Sequence, residues 1–125
     1  METRIIVAGG RDFLDYPLLE ESLDAVIHGL PPEDILLISG TCKGADQMGE
    51  RYAEERGLRV QRFPADWKTY GRAAGPIRNR QMAEFASEAD GILVAFWDGN
   101  SRGTASMIRL AEQKNLRISV INYTI

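Results

Sequence analysis

Four short stretches of the chain hold residue types able to bind an anion or move a proton. The first is Gly9-Gly10-Arg11-Asp12-Phe13. Glycine lets a backbone take positive φ and come close to a ligand, and the Arg11 fork matches a phosphate. A plain tight turn, with Arg11 paired to Asp12 or Asp46, is the alternative. The second is Ser39-Gly40-Thr41-Cys42-Lys43-Gly44-Ala45-Asp46. It supplies glycines, two hydroxyls and a lysine just before a helical pattern, where free N–H groups and the helix dipole attract anions. Its spacing is neither GxxxxGK[ST] nor GxGxxG. Asp46 is a candidate catalytic carboxylate, or equally a first-turn residue favoured by the dipole. Cys42 reads as a small packed side chain, because the one histidine, His28, lies on another helix and leaves the thiol no base.

The third stretch runs from Pro64 to Arg80 and mixes Trp67 and Tyr70 with Lys68, Arg72, Arg78 and Arg80. Aromatic faces can stack on a base, and arginines match phosphates. Gly75-Pro76 reads as a helix start, which puts Arg78 and Asn79 in the first turn. The dipole disfavours a cation there, so Arg78 points to a bound anion, or else to a carboxylate partner such as Asp98. Trp67 and Tyr70 serve either as stacking faces or as caps on the core. The fourth stretch is Trp97-Asp98-Gly99-Asn100-Ser101-Arg102-Gly103-Thr104. Ser101 and Thr104 can cap the helix that follows or donate to a phosphate. Asp98 is a further candidate carboxylate, and Arg78 a candidate catalytic cation.

Something must bring these stretches together. Five apolar runs punctuate the chain: Arg4–Ala8, Ile35–Ser39, Leu58–Phe63, Gly91–Trp97 and Ile118–Tyr123. Four are dense in Ile, Val, Leu and Phe, as in strands buried on both faces. The third alternates and reads as an edge strand. Between the runs fall helical stripes: Leu19, Leu23, Val26, Ile27 and Leu30 after Pro17; Ala45 to Ala53, stopped by Gly57; Arg78 to Ser87; and Thr104 to Asn115. Strict alternation of strand and helix predicts an α/β fold: a Rossmann-like three-layer sandwich, with a mostly parallel five-stranded sheet and helices on both faces. All four stretches follow a strand or open a helix, so they gather at one sheet edge. The gap from Pro64 to Gly75 reads as a long functional loop.

Composition bounds the rest. The chain has 125 residues, expected as one domain over 1–125, with a net charge of −3 and one cysteine. Residues 9–15, 39–46, 65–80 and 97–104 hold seven basic and five acidic residues, against eight and thirteen elsewhere. The basic surplus therefore belongs to the candidate site. The acidic total argues against bulk nucleic-acid binding. No metal-ligand spacing is present and no cofactor is required. A single cysteine fits a reducing cytoplasm. No targeting segment is visible at the N-terminus, and the run Ile92 to Trp97 is far short of a membrane span. Oligomeric state is left open; short chains with exposed helices often dimerise.

Taken together, Gly9-Gly-Arg-Asp-Phe13, Ser39-Gly-x-x-x-Gly-Ala-Asp46, Gly75-Pro-x-Arg-Asn79 and Asp98-Gly-x-Ser-x-Gly-Thr104 resemble the YspA-like, YpsA-related branch of the SLOG superfamily. The resemblance covers nearly the whole chain. It implies a Rossmann-like fold and a nucleotide-related ligand, since that superfamily includes cytokinin-activating phosphoribohydrolases, DNA-processing proteins and sensors of nucleotide-derived signals. It does not imply one reaction. The phosphoribohydrolases carry Pro-Gly-Gly-x-Gly-Thr-x-x-Glu. Here Gly99 to Thr104 matches the phosphate loop in part, and Arg78 is the candidate for their arginine. The glutamate is absent: Ala105 to Ile108 follow Thr104, with no acid before Glu112. The expected function is binding or sensing of a phosphate-bearing nucleotide. N-glycosidic cleavage of a nucleoside monophosphate, with Asp46 or Asp98 as carboxylate, and single-stranded nucleic-acid binding are the alternatives.

Overall fold

The computed structural model describes residues 1–124. In chain order the elements are β1 (Thr3–Gly9), α1 (Tyr16–Ile27), β2 (Ile35–Ser39), α2 (Ala45–Arg56), β3 (Arg59–Arg62), α3 (Trp67–Tyr70), α4 (Ala74–Ser87), β4 (Asp90–Trp97), α5 (Arg102–Gln113) and β5 (Arg117–Asn122). The helix boundaries have local causes. Asp15 caps α1 by accepting from the Leu18 amide, with Pro17 in the first turn. Gly57 ends α2 in the left-handed conformation at φ 67°. Ser101 caps α5 by accepting from the Thr104 amide.

All four strand pairings are parallel, in the order β3-β2-β1-β4-β5. The chain winds outward from β1 to β3, then α4 carries it back to β4 on the other side of β1. The order therefore reverses between β1 and β4, and loops leaving these neighbours part to opposite faces. In such sheets that crevice receives the ligand.

Strand alternation splits the core into two layers. Ile5, Val7, Ile35, Leu37, Val94 and Phe96 pack on one face with Leu19 and Leu23 of α1 and Tyr52 and Ala53 of α2. Ile6, Ala8, Ile38, Leu93 and Ala95 face the other way, against Met82, Ala83 and Ala86 of α4 and Met107 and Ala111 of α5. The result is the α/β three-layer sandwich that the alternating pattern predicts.

Four expectations need correction. The last run, β5, is not buried on both faces; it is an edge strand, half-buried, with Val120 39% exposed. It has a single neighbouring strand, β4, among the described residues. The stretch from Pro64 to Gly75 is not a long loop, because Asp66 caps the short helix α3 and a 3-10 turn at Gly71–Ala73 runs straight into α4. For that reason α4 begins at Ala74, and Arg78 and Asn79 lie beyond its first turn. Finally, Gly9 and Gly10 do not adopt positive φ. They are needed for packing: a Cβ on Gly9 would sit 2.5 Å from the Phe96 carbonyl, and one on Gly10 would overlap the Tyr123 hydroxyl.

Gly44 is the tightest seat. It has φ +85°, and a Cβ placed on it would overlap the Gly10 carbonyl and the Arg11 backbone. Gly99 has a similar φ of +87° but open space around it. Gly44→Ala should cost roughly 2–4 kcal/mol in urea unfolding, against about 1 kcal/mol for Gly99→Ala. Equal losses would mean that backbone conformation alone, and not contact with the first loop, decides the residue.

A cavity at the strand-order switch

The loop after β1 turns sharply, with the Gly10 amide donating to the Phe96 carbonyl at 3.2 Å and the Phe13 amide returning to Gly10 at 3.3 Å. Phe13 is buried and stacks on Phe96, with ring centroids 4.7 Å apart. That anchor leaves Arg11 and Asp12 exposed at the tip. The Ala45 amide donates to the Gly10 carbonyl at 3.2 Å, so α2 starts directly against this loop. Between β2 and α2, Thr41 holds the left-handed region at φ 70°, uncommon for a β-branched residue. The Ser39 hydroxyl steadies it by accepting from the Thr41 amide at 3.0 Å.

These loops and the ends of α4 and α5 enclose a cavity of about 410 Å³. Its polar lining includes Arg11, Asp12, Asp46, Arg78, Asn79, Asp98, Ser101 and Thr104, with Ala8, Met82 and Met107 as apolar ground. Arg78 is the central cation. It is only 9% exposed, yet it forms no ion pair within 4.0 Å among the described residues. Its Nη1 donates to the Gly40 carbonyl at 2.6 Å and its Nε to Asn79 Oδ1 at 2.9 Å. Nη1 also lies 3.8 Å from Cys42 Sγ. Nη2 has no acceptor among the described residues, so two of the five guanidinium donors stay open. Gly40 makes room for this: a Cβ there would come within 2.8 Å of Asp46 Oδ2 and 3.0 Å of Arg78 Nη1.

The two deeper carboxylates are in opposite electrostatic situations. Asp46 is buried, and loss of water raises its pKa from 3.8 to about 6, although the Cys42 amide and the Arg78 charge pull the other way. The Cys42 amide donates to its Oδ2 at 3.2 Å. Asp98 is held below its usual range by the backbone N–H groups of Ser101 and Asn100, both at 2.8 Å from Oδ1. It thus stays ionised and shapes its loop, while Asp46 can hold a proton near neutrality.

Of the residues singled out in the sequence, Gly9, Gly10, Arg11, Asp12, Asp46, Arg78, Asn79, Asp98, Ser101, Gly103 and Thr104 line the cavity. Ser39, Gly40, Lys43, Gly44, Trp67, Gly99 and Arg102 do not. The reasons are local. The Ser39 hydroxyl donates to Glu50 Oε2 at 2.6 Å, and Glu50 pairs with Arg62 at 3.0 Å. Gly40 and Gly44 contact protein atoms behind the lining. Lys43, Gly99 and Arg102 are exposed. Trp67 is 51% exposed and Tyr70 47%, so neither caps the core. The Trp67 ring lies across Gly75, with Cη2 3.6 Å and Arg78 Nη2 3.9 Å from the place of a Gly75 Cβ, which sets the indole beside the cavity. Sequence reasoning missed Ala8, Met82 and Met107 as lining and read Cys42 as packed. Helical period placed the methionines inward, but it does not tell a core from a cavity floor.

Ion pairing is unevenly distributed between the site stretches and the rest of the chain. Arg4, Arg51, Arg56, Arg59, Arg62 and Arg117 each pair with a carboxylate. Arg11, Lys43, Lys68, Arg72, Arg78, Arg80 and Arg102, all in the four stretches, do not, and nor do Arg109 and Lys114 outside them, among the described residues. All seven cations of the four stretches therefore lack an internal ion pair, against two of the eight elsewhere. Inside the cavity, however, only Arg11 and Arg78 face three aspartates, so its lining is mixed in charge.

The raised Asp46 pKa has a measurable consequence. The folded chain binds this proton more tightly (about 6) than the unfolded chain (3.8), so stability falls as pH rises through that window. Between about pH 5 and pH 7 the wild type should lose on the order of 1–2 kcal/mol that Asp46→Asn does not lose. Urea titrations of both proteins at the two pH values check this; parallel losses would show that Asp46 is not the titrating group.

The chain is similar to known proteins in sequence and in fold. The chain is 29% identical over 125 residues to the Gene 61 protein of Mycobacterium phage D29, covering 96% of this chain and 95% of that one. The X-ray structure of DNA processing protein A (DprA) from Streptococcus pneumoniae superposes with a TM-score of 0.71 at 17% identity, over 100% of this chain. This chain spans about half, 52%, of the DprA chain, and the likeness is one of fold. A family model described as "YspA, cpYpsA-related SLOG family" matches residues 3–70, from β1 through α3 and more than half of the sequence. The chain belongs to the YspA, cpYpsA-related SLOG family.

Proposed function

We propose that the protein binds or senses a small phosphate-bearing ligand of nucleotide type in the cavity between β1 and β4. One observation carries the reading: Arg78 lines the cavity, is buried without an ion pair and leaves Nη2 with no acceptor among the described residues. A buried charge is costly unless an anion answers it, and a phosphate presents paired oxygens to a guanidinium fork. Arg11 supplies a second cation from the facing loop. Ala8, Met82 and Met107 offer an apolar bed for a base, and Trp67 adds an aromatic face beside it. The volume of about 410 Å³ falls in the range of small-molecule sites.

A second reading, N-glycosidic cleavage of a nucleoside monophosphate, is favoured by the divergence of Asp46 and Asp98. Two carboxylates driven in opposite directions divide acid and base work. In that reaction the C1′–N bond breaks as Asp46 gives its proton to the departing base, the ionised Asp98 stabilises the cationic sugar, and water adds to C1′ while returning a proton to Asp46. The missing family glutamate is the reason it stands second.

A panel of nucleotides, oligonucleotides and inorganic phosphate, read by thermal shift, tests both. A nucleotide at about 100 times its Kd should stabilise the fold by about 2.7 kcal/mol, several degrees in Tm. Arg78→Met should abolish the shift. Chromatography of any hit then looks for free base, which Asp46→Asn should suppress at least about 100-fold if the second reading holds. Stabilisation by oligonucleotides alone, or by nothing in the panel, would overturn the first reading.

A further inference from the structure

The cavity carries more acceptor capacity than a phosphate site needs, and that excess has a definite arrangement. Asp12 and Asp98 both line it, from the loops after β1 and β4, and neither forms an ion pair among the described residues. Each is held through Oδ1 alone. Asp98 Oδ1 accepts the amides of Asn100 and Ser101, both at 2.8 Å. Asp12 Oδ1 accepts the hydroxyl of Tyr123 at 2.7 Å. The second oxygen of each has no protein donor among the described residues. Their neighbours are not placed for a metal: among the described residues no group of three His, Cys, Asp or Glu side chains could hold one.

Tyr123 comes from just beyond β5 and is held on three sides. Its amide donates to the Trp97 carbonyl at 3.1 Å, its ring packs edge-on against Phe13 at 4.8 Å, and its hydroxyl occupies the place of a Gly10 Cβ. Burial, the bond to Asp12 and the Asp12 and Asp98 charges all raise its pKa, so the phenol remains a donor. A carboxylate clamped through one oxygen presents the other in a set direction. Hydroxyl groups are neutral donors that suit it, and a pentose offers two adjacent ones.

We propose that Asp12, oriented by Tyr123, acts with Asp98 to select a ribosyl ligand over its 2′-deoxy counterpart by accepting hydrogen bonds from the sugar hydroxyls. The inference rests on the nucleotide reading above and names the sugar that reading leaves open. Asp12 is the specificity-determining residue, and Tyr123 is a positioning residue that acts through it. A site whose acceptors are left unanswered by the missing hydroxyl rejects the deoxy compound.

The test is calorimetric titration of the full chain with the four ribonucleoside 5′-monophosphates and their 2′-deoxy counterparts. The best ribonucleotide should bind about 10-fold or more tightly than its deoxy form. Asp12→Asn keeps an oxygen for the Tyr123 hydroxyl but turns the free acceptor into a donor, so the ratio should fall to about 1–2. Tyr123→Phe keeps the ring contact with Phe13 and should reduce the ratio by about 3-fold or more, mainly by weakening the ribonucleotide. Equal binding of ribo and deoxy ligands by the wild type would overturn the inference while leaving the nucleotide site standing. A ratio unchanged in Asp12→Asn would overturn the role given to Asp12. Binding of neither series would overturn the nucleotide reading, and this inference with it.

Discussion

The loop before α2 can approach the Gly10-Arg11 backbone as closely as it does only because Gly44 carries no side chain at the contact. That approach governs the rest of the site. It seats the first turn of α2 against the end of β1, with the Ala45 amide on the Gly10 carbonyl. Asp46 is thereby drawn under Gly40, on whose other side the Arg78 guanidinium arrives from α4 on the opposite face of the sheet, near enough to be felt but not paired. A helix from each layer thus contributes one charge to a shared floor, and the strand-order reversal keeps a crevice open above them.

The electrostatics follow from that geometry. Desolvation holds Asp46 near half-ionisation at mildly acidic pH, so it answers the Arg78 charge only in part. Asp98, hydrogen-bonded by two amides, stays charged. Elsewhere six of the eight cations are neutralised by surface pairs that contribute little to stability individually. The cations of the four site stretches are left without such partners, the arrangement expected where a negative ligand supplies the missing charge.

Fold and site were legible in the sequence to different depths. The run Ile35–Ser39 coincides with β2, and Gly57 closes α2, because burial on both faces and a left-handed cap leave local marks. The stretch 64–75 misled because Pro and Gly suggest loop, whereas the Asp66 cap and a 3-10 turn make it nearly helical. The glycines after β1 misled in another way. Their composition is that of a phosphate loop, but Gly10 serves to admit the Tyr123 hydroxyl, a partner 113 residues away in a chain that shows no sign of the meeting until it folds.

By itself, then, the sequence determined which segments become strands and helices, that the strands run parallel, and that residues after the strands share one edge. Those properties follow from side-chain period and local caps, which act over a few residues. Tertiary structure alone decided that β4 returns beside β1, that Arg78 is buried without an ion pair, and that Lys43 and Arg102 stay outside the cavity while Met82 and Met107 floor it. Strand order and the direction of a side chain depend on long-range packing between elements, and no local pattern encodes them.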